Sequence, residues 1–490
     1  PQRIAFTQPL GQGAVRDYRW AEVVDQARRM AAQLQLQGIG PGDRVAILSK
    51  NTAHWMISDY AIFMAGAVSV PLYPTLAPGT IRQILEHSAA KLLFVGKLDG
   101  WEHMKPGIPG DLPCIALPLA PPDALASYPQ WDTVLAANVP LAGEPVRPAD
   151  ELCTIIYTSG TTGLPKGVMH TFGTLAFAVQ TGLTRLPLHA ESRLLSYLPL
   201  SHVVERCLVE HGQLGTGFRV YFADSLQTFT EDMQRARPTV FFSVPRLWVK
   251  FQHAVLHKMP QKKLDLLLRL PLVGGIVRKK ILDTLGLDQC VMAISGAAPI
   301  PAELLRWYAR IGLKIAEGYG LTENCALSHI TVPGEDIGTV GRTYDGVDCR
   351  TDPVSGEILV KSAATMTGYY RQPELSPQVF TEDGFLRTGD KGVIDARGVL
   401  KITGRVKDLF KTSKGKYVAP APIEDKLVMH PAVEACCVAG ANLGQPLALL
   451  MLNAEAQQDA ASPSGRQALE QSLAAHLQGV NATLDPHEQL

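Results

Sequence analysis

The sequence predicts an α/β protein: a large N-terminal domain of mostly parallel sheets covered by helices, with a β-rich subdomain, followed by a small mobile α+β C-terminal domain. Three observations predict this. Short apolar runs alternate with amphipathic stretches through the first third, the rhythm of strands joined by helical crossovers. After about Gly356 the pattern changes to short β segments divided by turn residues. From about Val406 a helix and a strand of their own follow, which sets the domains at 1–404 and 405–490. A chain of 490 residues also exceeds what one ordinary hydrophobic core organises.

In order, Arg44–Ser49 reads as a strand, Ala53–Ala67 as a helix, Val68–Leu72 as a strand, Thr80–Ala89 as a helix and Lys91–Val95 as a third strand. The most apolar stretch, Trp55–Tyr73, contains an aspartate and a glycine and ends in a proline-bearing turn. It is therefore a buried helix and strand rather than a membrane span. The looser, Pro-rich residues 105–150 read as a surface connection. Leu152–Thr158 is a strand running into a Ser/Thr/Gly loop, and Gly356–Lys361 and Gly398–Thr403 are later strands. Pro422–Met429 reads as a helix and Val433–Val438 as a strand; Ala454–Gly465 is polar, Ala-rich and of low complexity.

Forty-six basic residues balance forty-six acidic ones, which excludes a global attraction to nucleic acid or anionic membrane and leaves only local patches. The eight cysteines are scattered apart from Cys436-Cys437, so neither a structural metal nor a disulfide framework is expected. The chain opens at Pro1 without a charged-then-apolar leader. Together these lead us to expect a cytoplasmic protein.

The most informative segment is Tyr157-Thr-Ser-Gly-Thr-Thr-Gly-Leu-Pro-Lys-Gly167. A strand delivers hydroxyls and glycines whose small size lets backbone N–H groups turn towards a polyanion, and Lys166 adds charge. The spacing differs from GxxxxGK[ST], because Ser and Thr precede the lysine. A Ser/Thr/Gly run alone makes a plain turn just as readily; the whole string is far more specific.

That string resembles the phosphate-binding signature of the adenylate-forming superfamily, which includes acyl-CoA synthetases, luciferases and peptide-synthetase adenylation domains. Motifs similar to that superfamily run from about Arg44 to Glu424. The resemblance implies ATP, Mg²⁺ and CoA as cofactors, with the phosphates held by Thr158, Ser159, Gly160, Thr161, Thr162, Gly163 and Lys166. Glu317-Gly-Tyr-Gly-Leu-Thr-Glu323 is similar to the adenine and magnesium segment. Glu317, Gly318, Tyr319, Gly320 and Thr322 would then border the nucleotide, and Glu323 with Thr158 would hold the metal through hard oxygens. Gly296, Ala297 and Ala298 resemble a segment lining the adenine and acyl pocket. Asp390 corresponds to the ribose-binding aspartate and Arg405 to a ribose contact. Lys407 corresponds to the hinge of C-terminal domain rotation, and Lys411 to a lysine that approaches the nucleotide.

Three segments, Tyr197–Arg206, Thr239–Trp248 and Lys411–Pro420, are closest to long-chain fatty acid–CoA ligases. They imply a fatty acid substrate, an apolar tunnel and His202 near the carboxylate. Residues 257–280 interleave seven lysines and arginines with leucines, from which we expect peripheral contact with the inner face of a membrane. The rival readings are an acyl-AMP ligase serving a carrier protein, an amino-acid-activating domain, and a non-catalytic nucleotide- or acyl-binding protein. Two departures stand out. Lys426 is the last lysine, whereas the superfamily places a later one at the reacting groups, so we expect an incomplete C-terminal domain and slow adenylation. Gly341–Gly346 lacks the superfamily's proline-rich turn. Chain length preference and oligomeric state are not fixed by these patterns.

Overall fold

The computed structural model describes residues 1–158 and 165–490. Its largest sheet has seven strands in the order Gly368–Tyr369, Lys166–Thr171, Leu152–Thr158, Val68–Leu72, Arg44–Leu48, Ala90–Val95 and Cys114–Ala116. From Leu152–Thr158 onwards the pairings are parallel; the first two strands join antiparallel. Parallel neighbours need crossovers, supplied here by the helices Ala53–Ala65 and Pro78–Ser88. Every residue of Val68–Leu72 is buried, as in a sheet covered on both faces.

The helix Ala53–Ala65 is capped by the Thr52 side chain, which accepts from the Trp55 N–H, and it ends at Gly66 with φ 92°. Glycine adopts that left-handed stop without a Cβ clash. All its residues except Met64 are buried, so this is a core helix. Among the described residues no helix is long and apolar enough to cross a membrane.

Residues 105–150 are more than the surface connection expected. They supply the edge strand Cys114–Ala116 and the helices Pro122–Ser127 and Trp131–Ala137. Trp131 is buried in the main core, and its Nε1 donates to Gln26 Oε1 at 3.0 Å. A three-residue strand is too short to show periodicity, and some of the prolines that suggested a loop, such as Pro106 and Pro122, sit at helix starts.

A second sheet runs parallel through Val240–Ser243, Met292–Ser295 and Ile315–Tyr319, then adds His329–Ile330 and Arg342–Thr343 antiparallel. Between its first two strands lie the helices Pro245–Lys258, Gln261–Arg269 and Val273–Thr284. A mixed sheet joins Ala14–Arg19, Ile4–Gly11, Arg219–Phe222 and Arg193–Ser196. The β-rich region begins earlier than Gly356: Val347–Thr351, Glu357–Ser362, Leu386–Ile394 and Leu400–Arg405 form one antiparallel sheet.

Beyond Arg405, two short antiparallel ribbons and the helices Pro420–Leu427, Ala454–Asp459 and Pro463–Asn481 surround a small core of Val418, Ile423, Leu427, Val438 and Val480. The low-complexity stretch is ordered as helix here. Asn453 Oδ1 accepts from the Ala456 N–H at 2.9 Å, and this cap turns an alanine-rich run into helix.

Candidate active site

The candidate residues gather where parallel strands end, the position at which open α/β sheets bind ligands. Leu152–Thr158 precedes the Ser/Thr/Gly segment of the sequence, and Thr158 is the register partner of Lys166 on the returning strand. Ser159, Gly160, Thr161, Thr162 and Gly163 lie outside the described residues. The Lys166 ammonium stands 5.2 Å from the centre of the Tyr369 ring.

Ile315–Tyr319 delivers the second segment. A Cβ on Gly320 would lie 2.3 Å from the Ala326 carbonyl carbon, so only glycine fits there. Cys325 and Ala326 both adopt positive φ, at 54° and 56°, a strained pair of the kind held in place by surrounding contacts. Those contacts are visible. His170 Nε2 donates to the Thr322 carbonyl at 2.7 Å, and the Met366 N–H donates to the Glu323 carbonyl at 2.8 Å. Burial pushes the His170 imidazole down to about 4, which keeps it neutral. The Glu323 carboxylate accepts from the Tyr369 hydroxyl at 2.9 Å.

A polar chain crosses to the antiparallel sheet. The Tyr319 hydroxyl donates to Asp390 Oδ2 at 2.8 Å, and Arg405 Nε lies 3.1 Å from Asp390 Oδ1. Asp390 and Arg405 are direct cross-strand partners. Burial raises the Asp390 carboxyl, while the Tyr319 and Arg405 contacts oppose that rise.

Gly296, Ala297, Gly318, Tyr319, Gly320, Thr322 and His202 line one cavity. His202 caps the short helix Val203–Glu205, its Nδ1 accepting from the Val204 N–H at 3.3 Å. Burial lowers its pKa, so it presents a neutral ring. Other candidates stand apart. The Glu317 carboxylate accepts from the Gly338 N–H at 3.0 Å, and burial pushes it up to about 7. Ala298 is not in the cavity wall. Lys407 is exposed in the turn after Leu400–Arg405. Lys411 folds back over Tyr417, 5.6 Å from its ring centre.

Among the described residues, no group of three or more His, Cys, Asp or Glu side chains gathers as a metal site. A lone carboxylate at Glu323 suits Mg²⁺, which keeps waters and substrate phosphates as most of its ligands.

Residues 1–370 match the AMP-binding enzyme family, and residues 407–490 match the AMP-binding enzyme C-terminal domain. The chain belongs to the AMP-binding enzyme family. It is 34% identical over 472 residues to a long-chain-fatty-acid–CoA ligase of Mycobacterium bovis, covering 88% of this chain and 77% of that one. It is 30% identical over 490 residues to long chain acyl-CoA synthetase 3 of Arabidopsis thaliana, covering 87% and 72%. Among solved structures, the adenylation domain of a carboxylate reductase from Mycobacterium chelonae aligns at TM-score 0.81 and 25% identity, covering 100% of this chain and 82% of that one. The corresponding domain from Segniliparus rugosus, in complex with AMP and a carboxylic acid, aligns at TM-score 0.81 and 22% identity, covering 100% and 85%. At that identity it speaks for the fold alone.

In this AMP-binding enzyme the cavity that His202 lines includes an apolar slot. Ala178, Val179, Gly182 and Leu183 line it, as do Val203, Val204, Cys207 and Leu208. Sequence reasoning missed the helix Phe172–Leu183 as a wall. Its only signal is the small pair Ala178 and Gly182 at i, i+4, which shares one helix face. Tyr369 and His170 were also missed. Both act through contacts distant in sequence, and neither carries a motif by itself.

Proposed function

We propose that this chain activates long-chain fatty acids with ATP and transfers the acyl group to CoA. The observation that carries the reading is one cavity lined by apolar residues of Phe172–Leu183 and of the segment after His202, with a polar end at His202 and Gly318–Thr322. A carboxylate placed at the polar end attacks the α-phosphorus of ATP, and pyrophosphate leaves. The CoA thiol then attacks the acyl carbon and AMP leaves. Both steps need positioning and charge neutralisation rather than a nucleophilic side chain.

In this reading the 159–163 loop and Lys166 hold the phosphates. Asp390 accepts from the ribose hydroxyls with Arg405 beside it, and Tyr319 borders the adenine. Mg²⁺, held by Glu323 and the Thr158 hydroxyl, would supply charge neutralisation on the phosphates. The C-terminal domain, from residue 405, turns about Lys407 between the two steps and brings Lys411 to the nucleotide. The relatives of M. bovis and A. thaliana support the long-chain assignment. The test is acid-dependent exchange of labelled pyrophosphate into ATP. Long-chain acids should stimulate exchange above short, aryl and amino acids; stimulation by none of them refutes the reading.

The acid's source completes the proposal. Leu266, Leu272 and Ile276 are 63%, 89% and 68% exposed at the junction of the helices Gln261–Arg269 and Val273–Thr284. Exposed Lys262, Lys263, Arg269, Arg278, Lys279 and Lys280 lie on the same two helices. Apolar tips accompanied by basic residues suit an anionic bilayer surface, so this junction rests on the inner face of a membrane. Flotation with phosphatidylglycerol vesicles should recover the protein at low salt and lose it on L272E/I276E. Equal recovery of both proteins contradicts the assignment.

A further inference from the structure

We infer that Tyr369 is the positioning residue that sets the metal-holding carboxylate and the phosphate-loop lysine against the same nucleotide; this rests on reading Glu323 as the metal ligand. One side chain contacts both groups. Its hydroxyl donates to Glu323 Oε1 at 2.9 Å, and its ring face lies 5.2 Å from the Lys166 ammonium. The ring is nearly buried, at 7% exposure, and has little freedom to leave.

The backbone around it is equally committed. Tyr369 is the register partner of Val168 and Gly368 that of Met169, on the strand that begins at Lys166. The Tyr370 N–H donates to the Gly167 carbonyl at 2.8 Å, and the Thr367 N–H to the Met169 carbonyl at 3.1 Å. On the other side the Met366 N–H holds the Glu323 carbonyl at 2.8 Å. The segment 366–370 therefore stitches the phosphate-loop strand to the metal segment, and Tyr369 is the side chain that reaches the charged end of each.

Two physical effects follow. A hydrogen bond to one oxygen of a carboxylate fixes the direction of the other, and such outer contacts typically govern about 10- to 100-fold in metal affinity. An aromatic face under an ammonium holds it by cation–π attraction, which limits the arc through which Lys166 searches for phosphate. Tyr369→Phe removes the first effect and keeps the second, whereas Tyr369→Leu removes both.

The experiment titrates Mn²⁺, followed by its electron paramagnetic resonance, into protein saturated with an α,β-methylene ATP analogue. It compares wild type, Y369F, Y369L and E323Q. Metal-free binding of the analogue is measured alongside by calorimetry. The expected pattern is loss of the Mn²⁺ site in E323Q and roughly 10-fold weaker Mn²⁺ in Y369F. Metal-free analogue binding should be unchanged in Y369F and weakened in Y369L. Y369F binding Mn²⁺ as wild type does, while E323Q fails to, overturns the role of Tyr369. E323Q binding Mn²⁺ as wild type does instead overturns the ligand assignment, and the inference falls with it.

Discussion

Gly182→Leu should shorten the acids that the cavity accepts. Gly182 lines the apolar slot, and a Cβ built there meets only Leu186 Cδ1 at 4.0 Å. The helix therefore tolerates a side chain at that position, and the side chain enters the cavity. A leucine places four carbons where an acyl chain would run and displaces about three methylenes. At about 0.8 kcal/mol for each buried methylene, the longest acids lose about 2.4 kcal/mol of transition-state binding. That is roughly a 50-fold fall in kcat/KM. Acids too short to reach Gly182 lose nothing. The assay presents an equimolar mixture of saturated acids with MgATP and CoA and measures the acyl-CoA products by mass spectrometry. A profile shifted to shorter chains, with the short-acid rate retained, is the expected result. An unchanged profile, or a uniform fall at every length, refutes the assignment of this slot to the acyl chain.

Asp390→Asn leaves Tyr319 and Arg405 without their carboxylate; charge-assisted bonds are worth about 1.5–3 kcal/mol, so ATP binding measured by calorimetry should weaken by at least roughly 10-fold. Arg206→Met removes the fully buried partner of Asp59, 2.7 Å away, and stranding a buried charge costs about 3–5 kcal/mol, which a denaturant titration should show. Burial pushes the Glu205 carboxyl from 4.5 up to about 8, against the hydrogen bonds from Ser196 and Tyr197. The folded state therefore binds more protons than the unfolded between those values, and stability falls as pH rises through that window. Glu205→Gln should flatten the decline in Tm between about pH 5 and 8, and an equally steep decline in the variant would contradict this.

The parts of this site that could be read before the fold were those encoded locally. A glycine forced by a close approach, as at Gly320, and a carboxylate next to a positive-φ glycine, as at Asp390 after Gly389, leave motifs. The links between motifs leave none. Tyr369 lies 46 residues from Glu323, and only sheet pairing brings them together. The far wall of the cavity was hidden for a related reason, since Ala178 and Gly182 matter for the space they leave open. Residues 105–150 misled because proline marks helix starts as well as loops. The packing of Lys411 over Tyr417 is likewise a contact that no local pattern records.

The measurement that tests the central claim most directly follows a carboxylate oxygen. Hexadecanoic acid labelled with ¹⁸O in its carboxylate is incubated with MgATP, CoA and protein in excess over acid, and the products are weighed by mass spectrometry. Attack on the α-phosphorus followed by thiol displacement leaves one labelled oxygen on AMP and none on pyrophosphate, with hexadecanoyl-CoA formed in step. Label in inorganic phosphate or pyrophosphate, or thioester formed with unlabelled AMP, would contradict an acyl-adenylate and with it the whole functional assignment.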